Sequence, residues 1–296
     1  MDTPSTMPPA QVAAAMVAHG VTKHNTRIDV VFFKACLAGV MLSFGGLLNI
    51  VITGGSPGLT ASNPGLVKVL GGFVFPVGLV MIVLLGLELL TSNMMVFPMA
   101  VWKRAIPWWS LPLNWLVVTF GNLVGSLFFA AILVKYSGII SAAPYDAYVQ
   151  EFALTKAAKP EWHQIFLRGI GCNWLVSVAV WQAAGAKETI SKVVAIWIPI
   201  WLFVACSFDH VVANMFFIPL GILFHTDLTV AEYIRKSLIA AYLGNIIGAL
   251  FVAVPAIYFY LSDSTANGLR GVEEGEVLNE KPGLVNGTSS EAKRLD

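Results

Sequence analysis

The second half of this chain repeats the first, and the repeat lies inside strongly apolar sequence. Glu88, Asn93, Met94 and Pro98 keep the same mutual spacing as Asp209, Asn214, Met215 and Pro219. Two further pairs flank this one. Phe32-Phe33-Lys34 resembles Phe166-Leu167-Arg168 near the start of each half, and Gly121-Asn122-Leu-Val-Gly125 resembles Gly244-Asn245-Ile-Ile-Gly248 near the end. The offsets are about 134, 121 and 123 residues, in the same order in both halves. Polar interruptions at matching places in a duplicated apolar unit point to a transport site between the copies.

The surroundings are those of a membrane protein. Hydrophobic residues make up 57% of the chain and charged residues 12%, with a mean hydropathy of +0.75. Soluble domains carry roughly 25% charge. A net charge of +1 argues against nucleic acid as a partner, which needs a basic face.

Six apolar blocks run over 28–52, 66–102, 109–136, 164–184, 193–224 and 233–261. Each exceeds the ~20 residues a helix needs to cross a bilayer. Backbone groups in lipid must bond internally, so helices are expected, and the alternating pattern of a β-barrel is absent. The fold class that follows is an all-α membrane protein of six transmembrane helices. Three crossings per repeat make the halves inverted, and six crossings put both termini on one face. Lys23, Arg27, Lys103, Arg104, Lys187 and Lys192 all fall inside if the termini are cytoplasmic. Lys156, Lys159, Arg235 and Lys236 count against that orientation. The expected location is the plasma membrane with both termini cytoplasmic.

Residues 1–27 form an N-terminal arm without the layout of a secretory signal. Its Ala10–Val21 stretch reads as a short interfacial helix or as a disordered arm. The transport domain spans 28–262, with repeats at about 28–136 and 164–262. Residues 263–296, rich in Gly, Glu, Ser and Asn, read as a disordered tail, in which Asn286-Gly-Thr288 is an accidental sequon if cytoplasmic. Cys36, Cys172 and Cys206 lack metal-ligand spacing and read as packing residues. Neither a metal nor a cofactor is implied.

Blocks two and five are interrupted, by Thr91-Ser92-Asn93 and by Ser207-Phe208-Asp209-His210. Unwound backbone at membrane depth is tolerated only where it is buried or lines a cavity. Each block is therefore expected to be two half-helices joined by a loop, with Pro98 and Pro219 inside the second halves. Glu88 and Asp209 read as structural caps of the breaks. Asn93 and Asn214 read as ties on loop backbone, and Asn122 and Asn245 as parts of a small-residue packing pattern. His210 breaks the symmetry, since Leu89 holds its place in the first half. An imidazole gives and takes protons near neutral pH, which favours function over a hydrogen-bonded core role. Lys34 reads equally as a residue that snorkels to the surface and as a source of positive potential at a vestibule.

These residues carry a resemblance. Arg168-Gly-Ile-Gly-Cys172-Asn173, Leu90-Thr91-Ser-Asn93-Met94 and Phe208-Asp209-His210-Val-Val-Ala-Asn214-Met215-Phe216 resemble the signatures of the formate/nitrite transporter family over about residues 8–262, in a form similar to fungal nitrite transporters. The resemblance implies an aquaporin-like inverted repeat, helices two and five broken, and a homopentamer in the lipid bilayer with one pore per subunit. It implies passage of small monovalent anions with protons or as the neutral acid. The family's central histidine falls on His210, its asparagine on Asn173 and its threonine on Thr91. Its paired lysines fall on Lys34 and Lys156. Its cytoplasmic constriction falls on Phe75, Leu79 and Phe203, and its outer one on Leu89, Leu90 and Val176, where leucines replace aromatics.

The expected function is proton-linked nitrite transport, with formate the nearest alternative. A membrane enzyme using Asp209 and His210 lacks a nucleophile or metal set. A non-transporting scaffold or sensor would not need matched helix breaks.

Overall fold

The structure, a computed structural model, describes residues 5–262; the tail at 263–296 and its sequon lie outside the described residues. Within that range the regular structure is helix, joined by short connections, with one isolated bridge between Thr6 and Ala186. A lead helix α1 (Pro9–Asn25) precedes α2 (Ile28–Gly54). After the short Pro57–Ser62 helix come α3 (Pro64–Leu84), α4 (Leu90–Trp102) and α5 (Ser110–Tyr136). The second half begins with its own lead helix, α6 (Tyr145–Ala157). It continues through α7 (Trp162–Gly185), α8 (Thr189–Ala205), α9 (Val211–Leu223) and α10 (Val230–Tyr260). Four of these, α2, α3, α5 and α10, are by themselves long and apolar enough to cross a membrane. The six expected blocks correspond to α2, α3 with α4, α5, α7, α8 with α9, and α10.

The described ends of the chain meet on one face. The backbone of Met7 donates to Gly185, that of Lys187 donates to Ser5, and Lys103 Nζ donates to the carbonyl of Leu261. The opposite, distal face carries the 55–63 connection and α6, whose Tyr145 and Tyr148 pack on Gly54 and Gly55 at the end of α2.

The repeat is visible in backbone detail. Gly86 and Ser207 both take left-handed backbone, at φ 63° and 62°. Arg104 and His225, just past the ends of α4 and α9, do the same at φ 56° and 66°, as at many helix C-termini. Leu89 and His210 are both extended, at φ −105° and −99°, one residue before the next helix. The close helix pairs are matched too. A Cβ on Gly125 of α5 would strike the Cys36 carbonyl of α2, and one on Gly248 of α10 would strike the Ile170 carbonyl of α7.

The lead helices are part of this symmetry. Gly20 of α1 packs on Ala100 of α4, and Gly221 of α9 packs on Ala153 of α6. Position for position, the Gly-Ala pair is swapped between the halves, so the approach is kept while the glycine changes sides. The α1 helix is thus more than an interfacial strap: Val12, Ala13, Met16 and Val17 are buried.

The first break differs from its expected position. Residues 85–89 are the non-helical ones, and Thr91-Ser92-Asn93 forms the opening turn of α4. Gly86 accepts the left-handed turn without a Cβ penalty, so the chain turns there and the polar trio starts the helix. The second break, at 206–210, is where the sequence places it.

Candidate functional site

Each break is held by one asparagine from a neighbouring helix. Asn122 Oδ1 accepts from the Leu90 N–H, while its Nδ2 donates to the carbonyls of Glu88 and Ala35, at 3.0, 2.9 and 2.8 Å. Asn245 Oδ1 accepts from the Val211 N–H, and its Nδ2 donates to the carbonyls of Asp209 and Gly169, each at 2.9 Å. Both amides are fully buried. The first N–H of a helix has no partner inside the helix, and a break within the membrane has no water to offer one. These two residues supply that partner. The expectation that they only pack is therefore corrected: the flanking glycines pack, and the asparagines clamp. The signal was present in the sequence, because a side chain with both a donor and an acceptor recurs where packing alone would be served by Ala or Ser.

The acids of the breaks are ion-paired to the lead helices. Lys23 Nζ of α1 lies 2.7 Å from Glu88 Oε1, and Lys156 Nζ of α6 lies 3.0 Å from Asp209 Oδ1. Lys23 is a residue the sequence reading missed; it lies outside the apolar blocks, where only topology was read. Asn93 Nδ2 donates to Glu88 Oε2 and to Asn114 Oδ1, and Asn214 Nδ2 donates to Ser237 Oγ. Asn93 and Asn214 thus bond side chains rather than loop backbone, because Asn122 and Asn245 already hold that backbone. The Lys34 carbonyl accepts from the Glu88 N–H at 3.5 Å, and its side chain is half-buried.

At the centre the two repeats touch. His210 caps α9, its Nδ1 accepting from the Ala213 N–H at 3.0 Å. With Nδ1 an acceptor, a neutral ring carries its proton on Nε2, and Nε2–H donates to Thr91 Oγ1 at 3.0 Å. The Thr91 carbonyl accepts from Asn173 Nδ2 at 3.1 Å, and the same Nδ2 donates to the Asn245 carbonyl at 2.8 Å. Two carbonyl partners fix the orientation of that amide. Its Oδ1, fully buried, has no hydrogen-bond partner among the described residues. The centre therefore offers one hydroxyl hydrogen, on Thr91, and one open acceptor, on Asn173.

A cavity of about 610 Å³ runs from the distal face to His210, with Tyr148, Phe152, Phe217, Phe75 and Phe203 among its lining residues. Ring contacts are continuous along it. Phe152 meets Phe217 at 4.9 Å, Phe75 meets Phe203 at 6.0 Å, and Phe203 stacks on His210 at 5.9 Å. Phe217, unremarked in the sequence, stacks on Phe75 at 6.3 Å. Leu79, Leu89, Leu90 and Val176 are all buried.

Chain direction orders these residues between the two faces, and with cytoplasmic termini the order is the reverse of the one the family resemblance implied. The α3 helix starts at the distal face, so Phe75 must lie nearer that face than Leu89 does. Likewise α8 starts beside Lys187 on the terminal face and delivers Phe203 to the distal side. If the termini are cytoplasmic, the Phe75–Phe203 ring pair lies toward the outer face and Leu89 and Leu90 toward the inner one.

An all-α multi-pass membrane protein with two mirrored helix breaks meeting at a buried imidazole has the architecture of a channel or transporter. The chain belongs to the formate/nitrite transporter family, whose description matches residues 10–260. It is 40% identical over 270 residues to a probable formate transporter of Methanothermobacter thermautotrophicus, covering 86% of this chain and 97% of that one. It is 32% identical over 286 residues to an uncharacterized transporter of Saccharomyces cerevisiae, covering 96% and 46%. Among solved structures it resembles a pentameric formate channel with formate bound, with a TM-score of 0.70 and 29% identity, over 79% of this chain and 98% of that one. These are transport proteins, and the family is not one of enzymes.

Proposed function

We propose that this protein moves a small monovalent anion, nitrite or formate, together with a proton, through one pore in each subunit of a homopentamer in the plasma membrane. The observation that carries this reading is the pairing at the centre of a hydroxyl donor, on Thr91, with an open acceptor, on Asn173. A neutral acid has an oxygen to accept the first and an O–H to donate to the second. A bare anion can use only the donor.

Desolvation points the same way. Moving an unpaired carboxylate into an apolar constriction costs far more than moving the neutral acid. On this reading the anion gathers hydrated in the distal cavity. It meets a proton before or at the Phe75–Phe203 constriction, then passes His210 and leaves between Leu89, Leu90 and Val176. A water occupies ~30 Å³ of liquid, so about 610 Å³ leaves the ion well hydrated until the rings. His210 serves as proton partner, while Thr91 and Asn173 orient the solute. Glu88, Asn93, Asp209 and Asn214 hold the breaks.

Nitrite rests on the resemblance to fungal-type nitrite transporters. Formate gains support from the relatives, since one is named a probable formate transporter and a solved channel holds formate. The test is uptake of labelled nitrite and labelled formate, separately and in competition, into proteoliposomes across a pH gradient. Stimulation by an acidic outside supports proton linkage, and its absence for both anions rejects it.

A further inference from the structure

An anion pore needs cations free to meet the anion, and Lys156, one of the two lysines suggested by family resemblance, is not free to do so. Lys156 lines the distal cavity, but its ammonium is committed to Asp209 at 3.0 Å and also reaches the Phe208 carbonyl at 3.4 Å. Only about 13% of its side chain is exposed. Removing it would leave the Asp209 carboxylate buried and unpaired, so its charge is balanced within the protein.

The cavity has three other charged linings: Lys68, Glu151 and Arg168. Glu151 is ion-paired to Lys159. Lys68 and Arg168 have no carboxylate within ion-pair distance among the described residues. Lys68 lies one turn into α3 and Arg168 two turns into α7, so both are within roughly 10 Å of the distal ends of those helices at 1.5 Å per residue. Two positive charges are therefore left uncompensated at one mouth, above a funnel of low-polarity rings. Such walls concentrate field lines and raise the local concentration of a counter-ion.

We infer that Lys68 and Arg168 form the anion-capture site of the distal vestibule, taking a small monovalent anion such as nitrite or formate, while Lys156 acts as a structural pin on the second helix break. The inference rests on the anion-transport reading and adds the residues that recruit the substrate. Capture by cations that line an open mouth acts on encounter, so it governs transport at low anion concentration and leaves the maximal rate to the constrictions and His210. It is also screened by salt, which separates it from any effect on the fold.

The experiment measures initial rates of nitrite and formate uptake over a range of concentrations, in proteoliposomes of the wild type and of Lys68→Gln/Arg168→Gln. It is run at about 10 mM and about 1 M ionic strength, where screening lengths are roughly 30 Å and 3 Å. The double variant is expected to raise apparent KM about fivefold at low salt with an unchanged maximal rate. At high salt it is expected to match the wild type. Lys68→Glu/Arg168→Glu should raise the low-salt KM further. An unchanged KM at low salt overturns the inference, and so does a loss that persists undiminished at high salt. If the wild type itself carries no flux of either anion, the transport reading fails instead.

Discussion

His210 Nε2 and Thr91 Oγ1 lie 3.0 Å apart, each supplied by a different half of the chain. Thr91 opens α4 and His210 caps α9, so this bond joins the two inverted repeats at the centre of the molecule. The imidazole's other nitrogen is occupied by the Ala213 N–H. A doubly protonated ring would have to surrender that cap, which makes the neutral ring the resting partner of Thr91.

Thr91→Val keeps the shape of the residue and removes the hydroxyl. It leaves the Nε2–H buried without an acceptor, at a cost of about 1–3 kcal/mol. Uptake of nitrite or formate is expected to fall about tenfold because the solute also loses its hydroxyl donor in transit, and about 1.4 kcal/mol of lost barrier stabilisation is a factor of ten. Size-exclusion profiles should stay unchanged. Flux assays on reconstituted protein check the first, and size-exclusion runs on the purified protein the second.

Asn122→Ala and Asn245→Ala each strand one helix N–H and two carbonyls in a buried break. Each is expected to destabilise the protein by about 3 kcal/mol, and by similar amounts because the two clamps are equivalent. Thermal unfolding in detergent measures this. A much smaller effect at one site would show that the clamps are not equivalent.

Lys156→Met leaves Asp209, 1% exposed, without its cation. The single variant is expected to lose about 3 kcal/mol of stability. The double variant Lys156→Met/Asp209→Asn should recover part of that loss, because the uncompensated charge is gone. Melting temperatures of the two singles and the double give the coupling.

Ser207 bears a left-handed backbone that its counterpart Gly86 takes without a Cβ. Ser207→Gly is expected to stabilise the protein by about 1 kcal/mol, and Gly86→Ser to destabilise it by a similar amount. Opposite shifts in melting temperature would confirm that the two turns share one geometry.

Much of this was legible in the sequence. The inverted repeat, the all-helical membrane fold, the second break and the residues that meet at the centre could all be read from spacing, apolar pattern and family resemblance. What stayed hidden has physical reasons. Lys23 lies in a lead helix of mixed composition, where no apolar block marks its partner. Asn122 and Asn245 sit among glycines whose own close contacts masked a hydrogen-bonding role. The first break moved to Gly86 because a left-handed turn, not polarity, sets where a helix stops. Which of Phe75 and Leu89 lies nearer the distal face follows from chain direction, which spacing along the sequence leaves implicit.

The most direct test of the account is His210→Asn. Asparagine preserves an N-cap for α9 while removing both the proton carrier and the bond to Thr91. Initial uptake of labelled nitrite and formate should be measured with the outside at about pH 5.5 and at about pH 7.5, on either side of a free imidazole's titration. The wild type should take up anion faster from the acidic side, and the variant should lose nearly all flux while remaining assembled. Uptake by the variant at the wild-type rate, with the same response to pH, would contradict the account.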